Sequence, residues 1–124
     1  MAELTTTDVK DVIRRFGAAW EAWDLDAVMA LMADDAVFES TGPAPDGVRI
    51  EGAAAVRAEW EGMFRDTREA EFRFEDAFVS GDRATAQWCF SWTNDDGSRG
   101  HVRGADVMRV RDGLVVEKYS YVKG

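Results

Sequence analysis

Apolar residues in the first third of the chain recur at spacings of three and four. Val9, Val12, Ile13, Phe16, Trp20 and Trp23 fall on one stripe, which predicts an amphipathic helix. Thr7 or Asp8 stands where a side chain can accept from the free amides of its first turn. A second, shorter stripe of Leu25, Val28, Met29 and Met32 predicts another helix, capped by Asp24 and ended by Asp34-Asp35. A third begins after Gly52, with Val56, Trp60, Met63 and Phe64 on one side. Between the second and third, Ala36-Val37-Phe38-Glu39-Ser40 predicts a short strand, and Val48-Arg49-Ile50 another. Residues 41–47, which join these two, hold both prolines and read as a connection.

Near residue 68 the period changes from 3.6 to two, the signature of strands. Phe72, Phe74 and Phe78 are expected to share a face. So are Ala84, Ala86, Trp88, Phe90 and Trp92, with Thr85, Gln87 and Cys89 opposite. Val102, Gly104, Asp106, Met108 and Val110 alternate with His101, Arg103, Ala105, Val107 and Arg109. The last strand runs from about Leu114 to Val122. Its two faces are Val116, Lys118, Ser120 and Val115, Glu117, Tyr119, Tyr121, and the pattern leaves open which points inward. Gly81-, Gly97- and Gly113-containing turns separate the strands. The expected fold is α+β: three helices covering a curved, mostly antiparallel sheet, in one domain over residues 1–124 with its core at about 8–122.

Charge and composition narrow the function. Fifteen Lys and Arg against 24 Asp and Glu leave a net charge of −9, which argues against nucleic-acid binding, since that depends on neutralising phosphates. No apolar run approaches the roughly 18 residues of a membrane span, and the N-terminus lacks the pattern of a signal peptide. Cys89 is the only cysteine, so no internal disulfide forms and a cytoplasmic location is expected. One histidine and one cysteine cannot supply the usual zinc site. No phosphate loop and no nucleophile elbow is present. Acid–base chemistry without metal or cofactor, or plain binding, is what remains.

Asp106 is the first candidate for such chemistry. It sits mid-strand between Gly104 and Met108 on an apolar face, where lost hydration would raise its pKa. A neutral carboxylic acid there could act as acid/base or donate to a developing oxyanion. Pairing with Arg103, Arg109 or a backbone amide is the structural alternative. Phe16, Trp20, Phe38 and Trp60 lie on inward faces, as do Trp88, Phe90 and Trp92. A sheet curling around helices could leave a hollow among these rings, with Met32, Phe64, Met108 and the inward Ser40 completing its wall. Such a hollow suits an apolar, ring-containing ligand. Lys118 or His101 reaching into it would favour catalysis; sealing by Trp60, Trp88 and Trp92 would favour a scaffold. Val107 and Tyr119 or Tyr121, left on the outer sheet face, would be covered in a homodimer.

The order of helices and strands, the segment Ala33-Asp34-Asp35-Ala36-Val37-Phe38-Glu39-Ser40, and the stretch from Gly104 to Glu117 carry a resemblance. Together they resemble the nuclear transport factor two-like superfamily, with the ketosteroid isomerase-like and SnoaL-like members most similar. The resemblance spans about residues 8 to 122 and implies a cone-shaped sheet around the helices, a cystatin-like roll. Isomerases of this kind place a tyrosine where Phe16 stands, a base aspartate where Ser40 stands, and a protonated aspartate that Asp106 matches. The SnoaL-type cyclases resemble this chain with a histidine in place of Asp106 and an acid/base aspartate near Ser120. The Arg-x-Asp spacing of the related epoxide hydrolases is not matched, since Arg103 precedes Asp106 by three. The resemblance thus implies an isomerase or cyclase keeping Asp106 alone of the known polar set, or a binding or dimerisation domain of the same fold.

Overall fold

The first apolar stripe forms α1 (Thr6–Glu21) in this computed structural model, which describes residues 6–123 and side chains from residue 8. The capping role considered for the Thr7 side chain lies outside the described side chains. Val9, Val12, Ile13, Phe16 and Trp20 are all buried. The chain reverses at Trp23, which adopts a left-handed φ of 54°, and Asp24 then accepts from the Ala27 amide at 3.1 Å to cap α2 (Leu25–Met29). α2 is shorter than its stripe predicts. Met32 already belongs to β1 (Met32–Glu39), and so do Asp34 and Asp35. Parallel pairing with the C-terminal strand, Met32 facing Val115, extends the strand at the helix's expense. Tertiary pairing has overridden a local period.

β2 (Arg49–Glu51) returns antiparallel to β1, and α3 (Ala53–Asp66) follows with Val56 and Trp60 buried. Then come β3 (Arg68–Ser80), β4 (Arg83–Thr93), β5 (Arg99–Arg111) and β6 (Leu114–Val122). The sheet order is β2-β1-β6-β5-β4-β3, with only the β1–β6 pair parallel. The expected α+β architecture of three helices on a mostly antiparallel curved sheet is the one observed.

The shared face expected for Phe72, Phe74 and Phe78 is not kept. Phe72 and Phe74 face the inward Phe90 and Trp88, but the register shifts between Phe74 and Asp76. An extra residue in a strand inverts the alternation beyond it. Ala77 and Val79 therefore take the inner face opposite Ala86 and Ala84, and Phe78 turns outward, 62% exposed. No described helix is long and apolar enough to cross a membrane.

Candidate functional site

β5 and β6 place three polar side chains inside the apolar layer. Asp106 faces Ser120 across the ladder, and Lys118 sits diagonally, opposite Met108. Both β6 residues lie two apart and so share the inner face, which settles the orientation the sequence left open. Asp106 is 2% exposed, Lys118 7% and Ser120 9%. The Ser120 hydroxyl donates to Asp106 Oδ1 at 2.7 Å. Lys118 Nζ donates to Ser120 Oγ at 2.8 Å and to the same Oδ1 at 3.3 Å. The buried charges are thus paired and hydrogen-bonded, the condition under which burial is tolerated.

Arg103 and Arg109 are not partners of Asp106. They lie on the opposite face of β5, where Arg103 meets Glu75 and Arg109 meets Asp82 and Glu117. The partner found in their place, Lys118, was the residue whose direction the period-two pattern could not assign.

Lys118 points its ammonium toward rings. Nζ is 4.9 Å from the centroid of Phe38, 5.5 Å from Trp20 and 5.6 Å from Trp60. These distances favour cation–π attraction, which strengthens where water is displaced. The rings brace each other: Trp20 meets Trp60 edge-on at 4.8 Å, and Phe38 meets Trp60 at 5.0 Å.

Lys118 and Ser120 close the inner end of a cavity of about 350 Å³. Trp20, Phe38, Trp60, Phe72, Trp88 and Phe90 form much of its wall, and Ser40, Thr41 and Glu59 add polar groups. Asp106 does not line it; it lies behind Lys118 and Ser120. The buried indole N–H groups of Trp20 and Trp88 have no hydrogen-bond partner in the described protein. Both rings line the cavity. The Ser40 hydroxyl is engaged by its own loop, donating to the Gly42 carbonyl at 2.8 Å and accepting from the Val48 amide at 2.9 Å.

The predicted wall is divided by the structure. Trp20, Phe38, Ser40, Trp60, Trp88 and Phe90 come together here. Phe16 and Met108 instead line a second cavity of about 310 Å³ between α1 and β3–β5, whose charged residues are Lys10, Arg14 and Glu21. Met32 is buried in the core, Phe64 stacks on Trp23 at 3.9 Å, and Trp92 lies at a shallow surface hollow and donates to Asn94 at 2.8 Å. His101 is exposed, paired in the ladder with Ser91. Lys118, Phe72, Met63, Val102 and the rim residues Thr41, Gly42 and Glu59 were not among the predicted wall residues. No cluster of potential metal ligands occurs among the described residues.

A curved sheet closed by helices over an aromatic cavity defines a fold of the nuclear transport factor two-like kind. The SnoaL-like domain family matches residues 13–118, and the chain belongs to that family. No curated protein matches the sequence. A nuclear transport factor two-like protein of unknown function from Mesorhizobium loti is 36% identical, with a TM-score of 0.82 over 100% of this chain and 98% of its own. A Mycobacterium tuberculosis protein solved in complex with estradiol-17β-hemisuccinate is 26% identical, with a TM-score of 0.75 over 92% of each chain. A Pseudomonas putida protein provisionally named a polyketide cyclase shares the fold, at 21% identity and a TM-score of 0.74 over 93% of this chain and 91% of its own.

Proposed function

We propose that this protein binds an apolar, ring-containing molecule in the cavity that Lys118 closes and acts on it as an isomerase or cyclase without a cofactor. The observation that carries the reading is the Lys118 ammonium, held against three rings and anchored on Asp106 and Ser120. An apolar wall binds the ring system by burial. A fixed N–H donor at the inner end meets the ligand's oxygen and stabilises negative charge that develops on it. Asp106 works behind this group. It holds the ammonium in place and compensates its charge, and it has no direct path to the ligand. The Mycobacterium tuberculosis relative's complex with a steroid ester supports the binding half of the reading.

The test is a tryptophan-quenching titration with two-ring ketones and the matching hydrocarbons. Ketones should bind the wild type more tightly than hydrocarbons, and Lys118→Met should abolish the difference. Equal affinity for both classes in the wild type would remove Lys118 from ligand recognition.

A homodimer formed through the outer sheet face is part of the same proposal. Phe78, Thr85, Val107 and Tyr119 form one cross-strand row on that face.

A further inference from the structure

We infer that Glu59 is the base of this cavity, taking a proton from the carbon next to the carbonyl of a ring ketone. The inference rests on the reading above, in which Lys118 receives the carbonyl oxygen. A site that stabilises an enolate also needs a group to take the proton whose loss creates it. Asp106 lies outside the cavity wall, and its Oδ1 already accepts from Ser120 and Lys118. The Ser40 hydroxyl is held by its loop. Glu59 is the one carboxylate among the residues that line the cavity, and Lys118 is the one cation.

Its place on α3 suits the task. Glu59 directly precedes Trp60, whose ring lies 5.6 Å from Lys118 Nζ. Successive helical side chains diverge by about 100°, so Trp60 enters the core while Glu59 stays exposed at the cavity's edge. No hydrogen bond or ion pair engages Glu59 among the described residues, unlike its helix neighbours Arg57 and Glu61, which pair with each other. A carboxylate at the cavity's edge and open to water can take a proton and exchange it with solvent.

The step balances within the site. A Glu59 oxygen forms an O–H bond to the α-proton as the C–H bond breaks. That electron pair forms the carbon–carbon double bond of the enolate, and the carbonyl π pair moves to oxygen, where Lys118 N–H donates. The negative charge passes from Glu59 to the enolate oxygen. Reprotonation at the same carbon gives exchange; reprotonation at a conjugated carbon gives isomerisation.

The experiment follows loss of the α-proton signal of 2-tetralone in D₂O by proton NMR, beside tryptophan quenching as a separate measure of binding. The wild type should accelerate exchange above buffer. Glu59→Gln should lower that rate at least ~100-fold while keeping affinity within about twofold. Glu59→Ala should regain exchange when acetate is added, a rescue that a structural role would not give. Exchange by Glu59→Gln at the wild-type rate, or no acetate rescue of Glu59→Ala, overturns the assignment of Glu59 alone. Wild-type quenching without exchange ends the base role and leaves the binding reading standing. Absence of both signals removes the binding reading and this inference with it.

Discussion

Ser120 stands directly opposite Asp106 in the β5–β6 ladder and donates to its Oδ1 at 2.7 Å, while its own oxygen accepts from Lys118 at 2.8 Å. The serine therefore bridges a cation and an anion that are themselves 3.3 Å apart. Removing one charge strands the other in an apolar layer, whereas removing both does not. Lys118→Met should cost about 3–5 kcal/mol. The double variant Asp106→Leu/Lys118→Met should cost clearly less than the sum of its single changes. Urea unfolding of the four proteins measures this coupling. Additive losses would mean that the pair is not energetically linked.

Gly104 sets how close Trp88 can lie to the sheet. A Cβ at residue 104 would stand 2.6 Å from the Trp88 ring and 2.3 Å from the Tyr121 carbonyl oxygen. The backbone oxygen cannot swing aside as a side chain can, so Gly104→Ala forces β6 or Trp88 to move. Overpacking of this kind costs about 1–3 kcal/mol, and Trp88 is part of the cavity wall. Gly104→Ala should lower the urea midpoint and weaken ring-ligand quenching together. An unchanged midpoint would show that the sheet relaxes there freely.

The helical stripes and the alternation of the last strands made the fold class legible, because burial of one face enforces those periods. Two errors share a cause. Met32 reads as helical by spacing, yet pairing with Val115 draws it into β1. Phe78 reads as inward by parity, yet the irregularity after Phe74 turns it outward. Neither long-range pairing nor a bulge leaves a mark in local periodicity. At the site, Asp106 was visible as an acid on an apolar face. Lys118 was harder, since a lysine alternating with valine and serine looks like a solvated face. Only three rings arriving from α1, β1 and α3 make its inward position stable, and that convergence is tertiary. Glu59 had no signal at all, being one more exposed acid on an amphipathic helix.

Asp35 and Arg111 tie β1 to the end of β5, with Arg111 donating to Asp35 at 2.7 Å. That hydrogen bond is the main reason the Asp35 carboxyl is held below its usual value; attraction to the guanidinium adds to it and desolvation opposes it. A carboxyl depressed in the folded state adds stability above its unfolded pKa of about 3.9. That contribution disappears as pH falls through the folded value. The stability difference between wild type and Arg111→Gln should therefore be present at neutral pH and vanish as the solution is acidified below about pH 4. Carboxyl-resolved NMR should show Asp35 titrating higher in Arg111→Gln. An Asp35 titration that does not move would remove Arg111 as the cause.

The outer sheet face carries the prediction about assembly. The irregularity in β3 sends Phe78 outward, 62% exposed, at the end of the row that continues through Thr85, Val107 and Tyr119. Tyr121, also exposed on that face, extends the apolar surface of β6. A two-fold contact places the same row on both copies, so each apolar group meets its equivalent or near neighbour and is covered. A charge in that row is buried twice for each substitution, once on either copy. Phe78→Asp should therefore convert a dimer to a monomer while leaving the fold intact, because Phe78 makes no part of the core beneath the helices. Light scattering at micromolar concentration should give twice the chain mass for the wild type and the chain mass for the variant, with matching far-ultraviolet circular dichroism. A wild-type particle of single-chain mass would end the dimer proposal, and a Phe78→Asp protein that remains dimeric would move the contact away from this row.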